Sequence, residues 1–132
     1  MIKKVLYQVV ILFSALFAVQ TVSAQVPDEI VASIRSGNSQ NLSKYFNENI
    51  ELVVLDNENV YSRAHAEQVV RDFFKKFPPE KFSIIHQGGA NDSKYVIGSL
   101  QSGSEKFRVY FLLKSRNSTQ FIHQLRIETS DE

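Results

Sequence analysis

Apolar residues recur at helical spacing most clearly in one segment. Ala66, Val69, Val70, Phe73, Phe74 and Phe77 follow one another at steps of three, one, three, one and three. That spacing draws a single stripe along a helix of about four turns. Ser62 is suited to cap its start, and Pro78-Pro79 stop it. Glu67, Arg71, Asp72 and Lys75 occupy the opposite face, where they can pair weakly.

Two shorter helices precede this one. Ile30, Val31 and Ile34 recur at helical spacing after Pro27-Asp28. Proline suits a first turn, aspartate opposes the positive helix end, and Gly37 supplies a stop. Asn38-Ser39 can cap a second helix with Leu42, Tyr45 and Phe46 on its face. The segment Asp28–Phe46 therefore reads as two helices with a kink at Ser36-Gly37-Asn38.

The pattern elsewhere has the period of strands. Ile50–Leu55 is an apolar, β-branched run that turns at Asp56–Asn59 into Val60-Tyr61. After the prolines come four apolar segments: Phe82–Gln87, Lys94–Leu100, Lys106–Lys114 and Thr119–Glu128. Turn-forming stretches separate them at Gly88–Ser93, Gln101–Ser104 and Ser115–Ser118. Three such turns predict a four-stranded antiparallel meander. The whole order predicts an α+β domain, with N-terminal helices and one long helix packed on a curved antiparallel sheet.

The first 24 residues change the compositional picture. Lys3 and Lys4 precede an apolar stretch whose strongest run, Val9–Val19, has 11 residues. A membrane-spanning helix needs about 20. Val22-Ser23-Ala24 fits a signal-peptidase box, which places the expected cut between Ala24 and Gln25. The expected organisation is a signal peptide at 1–24 and one domain at 25–132. Export to a periplasmic or secreted location follows, with no stable membrane anchor after cleavage. Removing the two signal lysines from 15 basic groups leaves 13 against 14 acidic, a net charge of −1. That balance, without any basic-aromatic motif, argues against nucleic acid as a partner. The chain has no cysteine, so neither a disulfide nor a lipid anchor at the cut is available.

Chemistry-bearing residues are few. No metal site is expected, because there is no cysteine, no H-E-x-x-H and no histidine pair at helical spacing among His65, His86 and His123. Phosphate loops, nucleophile elbows and dinucleotide fingerprints are also missing from the sequence, and no cofactor is expected. His86 alternates in phase with Phe82 and Ile84, and His123 with Phe121, Leu125 and Ile127. If those apolar residues face inward, both histidines border a pocket between the long helix and the sheet, with Tyr95 beside them. Two such imidazoles can bind a polar group or serve as acid and base. The plainer reading is a pair of histidines satisfied by carbonyls or carboxylates at a rim. Glu51 is the one acid that the pattern places near a strand interior.

The opposite phase of the sheet is mixed rather than polar. Val96, Leu100, Tyr110, Leu112 and Ile122 alternate there with Arg108, Gln124 and Arg126. These apolar residues form a candidate dimer face, since contiguous apolar patches mark contact sites. Arg108 and Arg126, with Lys106 and Lys114, offer a small basic strip. That strip could hold an anionic ligand, but ordinary cross-strand pairing with Glu128 or Glu105 is the favoured account.

Several short motifs, in order, resemble a known family. They are Ile34-Arg35-Ser36-Gly37-Asn38, Ile50-Glu51-Leu52, Ala66-Glu67-Gln68, Asp72-Phe73-Phe74, His86-Gln87-Gly88, Tyr95-Val96-Ile97-Gly98 and Phe107-Arg108-Val109-Tyr110. The chain resembles the nuclear transport factor 2-like superfamily and, more narrowly, the bacterial exported family called domain of unknown function 4783. The resemblance runs from about Asp28 to Glu128. It implies a cone-shaped half-barrel. It does not imply one activity, because the superfamily hosts isomerases, dehydratases, cyclases, adaptors and pure binding domains. Isomerase-type members use an Asp, or a His–Asp pair, in the cone. No strand-borne Asp here matches that. The reading is a non-catalytic ligand-binding or protein-interaction module with an unidentified small-molecule or protein partner. An isomerase- or dehydratase-like enzyme with a histidine base, and a structural homodimerisation module, are the alternatives.

Overall fold

A computed structural model describes residues 25–131; the signal peptide and cleavage site expected at its N-terminal border fall largely outside this range. Two short helices, α1 (Asp28–Ser36) and α2 (Ser39–Ser43), lead into strands β1 (Phe46–Val54) and β2 (Asn57–Ser62). The long helix α3 (Arg63–Lys76) follows. Strands β3 (Lys81–Ala90), β4 (Ser93–Ser102), β5 (Glu105–Arg116) and β6 (Thr119–Thr129) complete the chain.

The helix boundaries have local causes. Gly37 ends α1 in a left-handed conformation at φ 69°, and the Asn38 side chain caps α2 by accepting from the Asn41 N–H. The Ser62 hydroxyl accepts from the His65 N–H at 3.3 Å to start α3. The Tyr45 phenol donates to the Glu29 carboxylate at 2.6 Å, which ties α1 to the approach to β1. That carboxylate also raises the Tyr45 pKa, by accepting the hydrogen bond and by its charge.

The strands form one six-stranded sheet in the order β2-β1-β6-β5-β4-β3. β3 to β6 are the antiparallel meander that the turn spacing predicts, joined by two-residue turns at Asn91-Asp92, Gly103-Ser104 and Asn117-Ser118. One pairing departs from the antiparallel expectation. β1 lies parallel to β6, so the sheet is mixed. The helical connection through α3 and the meander bring these two distant strands together, and no short-range pattern encodes that.

The three described helices lie on one face of the sheet. Ile30, Ile34, Leu42, Ala66, Val70, Phe73 and Phe74 pack there against Phe46, Ile50, Leu52, Phe107, Val109, Phe111 and Leu125. Phe73 and Phe77 both meet Phe107 edge-on, with ring centroids 5.0 and 4.9 Å apart. Burying side chains of this size is worth about 1.5–3 kcal/mol each. In a chain without cysteine, this packing carries the fold. It also fills the space in which the sequence pattern puts a pocket.

Candidate functional site

Strand phase decides which side chains reach which side of the sheet. On the face free of helices the register sets side chains in three cross-strand rows. One row runs Glu58, Val53, Arg126, Tyr110, Ile97, His86. The next runs Val60, Glu51, Gln124, Leu112, Tyr95, Gly88. A third, shorter row holds Glu128, Arg108, Ser99 and Ser83.

Both histidines differ in position from the sequence expectation. A bulge between Ile84 and His86 inserts Ile85 and reverses the phase of β3. His86 therefore pairs with Ile97, is exposed, and stands on the helix-free face. Its Nε2 lies 3.0 Å from the Tyr95 hydroxyl, which forms the hydrogen bond between them. His123 is itself the extra residue of a second bulge, opposite Leu112-Leu113, and Ile122 rather than Phe121 enters the core. Neither histidine borders a space between α3 and the sheet. The third, His65, sits on α3 with its ring edge against Tyr61 at 5.2 Å.

The candidate dimer residues separate into two sets. Val96, Leu100 and Ile122 are fully buried under the helices. Their partners explain why: Val96 pairs with Phe111, Leu100 with Phe107 and Ile122 with Leu113, all of the inner set. Tyr110 and Leu112 do stand on the helix-free face, half-buried. Ile97 and Val53 join them there, and the sequence pattern did not single either out. Val53 is only 8% exposed although it lies outside the main core cluster.

This face has shape and charge. Ile97, Arg108, Tyr110, Gln124, Arg126 and Glu128 line a shallow depression of about 380 Å3. A second, of about 230 Å3, adjoins it at Gln124 and is lined by Glu51, Leu112, Lys114 and His123 among others. The rings of Tyr95 and Tyr110 stack, with centroids 6.4 Å apart at 22°. Arg126 donates to Glu128 Oε1 at 2.7 Å, and that bond raises the Arg126 pKa. Arg108 has no hydrogen bond or ion pair among the described residues. His123 has its pKa lowered, first by burial and then by the charges of Lys114 and Arg116.

The acid–base ingredients are dispersed. Among the described residues neither His86 nor His123 bonds a carboxylate. Glu51 and His123 share a depression without forming an ion pair. No group of three His, Cys, Asp or Glu side chains that could hold a metal occurs among the described residues. On the helix side, a groove of about 390 Å3 remains at the edge of the core, between α3 and the β1–β2 turn. Leu55, Asp56, Val69, Asp72, Phe73 and Phe77 are among its lining residues.

Helices on one face of a curved, unclosed mixed sheet make this an α+β protein with a nuclear transport factor 2-like fold. The chain belongs to the family described as domain of unknown function DUF4783, whose model matches residues 27–128. A crystal structure of a DUF4783 family protein from Bacteroides ovatus is 31% identical, with a TM-score of 0.78 over 83% of this chain and 100% of that one. One from Bacteroides uniformis is 30% identical, with a TM-score of 0.76 over 82% and 100%. A chain from Thiobacillus denitrificans, described as a calcium/calmodulin-dependent protein kinase type II association domain, is 8% identical. It has a TM-score of 0.63 over 79% of this chain and 91% of that one, a likeness of fold alone. A search of curated proteins finds no match.

Proposed function

We propose that this protein is an exported, non-catalytic interaction module whose working surface is the helix-free face of the sheet, covered by a second copy of the chain. The observation that carries this reading is the distribution of side chains between the two faces. The helix side is filled by phenylalanine rings, whereas Tyr110, Leu112 and Ile97 lie together, with Val53 beyond Arg126, on a face that none of the described elements covers. An apolar patch of this kind, rimmed by charged groups, is the ordinary mark of a protein contact. The rim supports a second copy as occupant, because it carries both signs. Glu51, Glu58 and Glu128 are matched by Arg108, Arg126 and Lys114 on the same face.

An enzyme with a histidine base has less support. A catalytic imidazole needs an orienting partner within hydrogen-bond reach, and the partner of His86 is a phenol on an open surface.

Light scattering on the protein expressed from its full sequence tests the reading. The mass of two chains is expected, and Tyr110→Glu should reduce it to one chain while the circular dichroism spectrum is kept. A wild-type protein that remains a single chain at high micromolar concentration would overturn it.

A further inference from the structure

We infer a specific docking register for that second copy: a two-fold axis along the seam between β5 and β6, which sets Arg108 of each copy against Glu128 of the other. The inference rests on the self-pairing reading above and adds the geometry. The six-stranded order places β6 and β5 at the centre of the sheet. An axis lying in the face and parallel to these strands carries each β6 position onto the β5 position of the second copy in the same row. The cross-strand register then fixes the meetings across the interface. Glu128 meets Arg108, Arg126 meets the Tyr110 ring, and Gln124 meets Leu112. One strand further out Val53 meets Ile97, and Glu51 meets Tyr95.

Each meeting is chemically compatible. A guanidinium over a tyrosine ring is attractive, and Ile97, half-buried in the single chain, gains an apolar neighbour in Val53. The Arg108 guanidinium has no hydrogen-bond or ion-pair partner among the described residues. Glu128 uses only Oε1 on Arg126, which leaves Oε2 for a second donor. Symmetry makes the Arg108–Glu128 pair twice. A different arrangement, an axis across the strands through the Arg126–Tyr110 row, is disfavoured. That axis places Arg126 against Arg126 and Glu58 against Glu58, and like charges brought together oppose association. Face-to-face sheets of this kind pack with their strands nearly aligned, which the seam axis also provides.

Charge reversal tests the register. Arg108→Glu alone and Glu128→Arg alone should each run as single chains by light scattering. An equimolar mixture of the two should recover the two-chain mass, as a mixed dimer, because every meeting is then again between opposite charges. The double variant R108E/E128R should recover a dimer by itself. Damage within one chain, such as loss of the Arg126–Glu128 bond, would not be repaired by mixing. If both single variants stay dimeric, or the mixture stays monomeric, the register is wrong while self-pairing stands. If the wild-type protein is monomeric, the underlying reading fails first.

Discussion

The Tyr95 phenol lies directly over Gly88, the residue opposite it on β3. A Cβ built on Gly88 would come within 2.6 Å of the phenolic oxygen and 2.8 Å of the adjoining ring carbon. Glycine in a strand often marks such a close approach. Here it lets the ring lie flat enough to reach His86 on one side and stack on Tyr110 on the other. Gly88→Ala should therefore displace Tyr95 and break its bond to His86. The expected loss is about 1 kcal/mol, the net value of one hydrogen bond. Urea denaturation of Gly88→Ala, His86→Ala and the double variant checks this. The two effects should be less than additive, since both remove the same contact. Strict additivity would mean that the glycine and the histidine are not linked through Tyr95.

Gly98 answers to the other face. A Cβ there would lie 2.5 Å from two carbons of the Phe82 ring, which is only 2% exposed. The ring cannot swing into solvent, and the carbonyl of Ser83 closes the remaining side at 3.0 Å. Gly98→Ala should cost about 1–3 kcal/mol, the range for overpacking a core. Adding Phe82→Leu should recover part of that loss by making room. A Gly98→Ala protein with unchanged denaturation midpoint would show that this part of the core is looser than its packing implies.

The contrast between these two glycines marks how far the sequence could be read. The α3 stripe was legible because a helix that buries one face must repeat its apolar residues at that period, from Ala66 to Phe74. The three meander turns were legible because their residues are poor strand formers. The facing of β4 was not. Tyr95 and Ile97 are as apolar as Val96 and Leu100, so alternation alone cannot choose between the phases. The two histidines were placed on the wrong face for a different reason. Each lies at or just beyond a bulge, and one extra residue reverses every facing after it. The glycines around His86 hinted at irregular backbone, but His123 has no such signal near it. The β1–β6 pairing was out of reach because its two strands are far apart in the chain.

The β5–β6 turn carries a local strain that can be relieved. Asn117 and Ser118 both have positive φ, 52° and 66°. They join Arg116 to Thr119 as a two-residue hairpin, for which Asn-Gly is the favoured pair. Asparagine suits its position, whereas serine carries a Cβ in a conformation that costs about 1–2 kcal/mol. Glycine's greater freedom in the unfolded chain offsets part of the gain, by about 0.5–1 kcal/mol. Ser118→Gly should thus raise stability by roughly 0.5–1 kcal/mol, the difference between those two effects. Thermal or urea denaturation reads it directly, and a lowered midpoint would refute the strain argument.

His123 gives the protein a defined sensitivity to acid. Burial, then the charges of Lys114 and Arg116, hold its pKa below the ordinary value of 6.5. In the unfolded chain the imidazole titrates near that ordinary value. As pH falls through it, the unfolded chain takes up a proton that the folded chain still refuses. The unfolded state then binds more protons, so stability must fall with pH. The contribution is fully present above the ordinary histidine value and is lost as pH drops towards the lowered one. His123→Gln removes the titrating group, and its stability should fall less steeply than that of the wild type just below pH 6.5. Lys114→Gln, which removes one of the two opposing charges, should move the His123 titration upwards when it is followed by NMR. Parallel stability profiles for wild type and His123→Gln would mean that the imidazole titrates alike in the folded and unfolded chains.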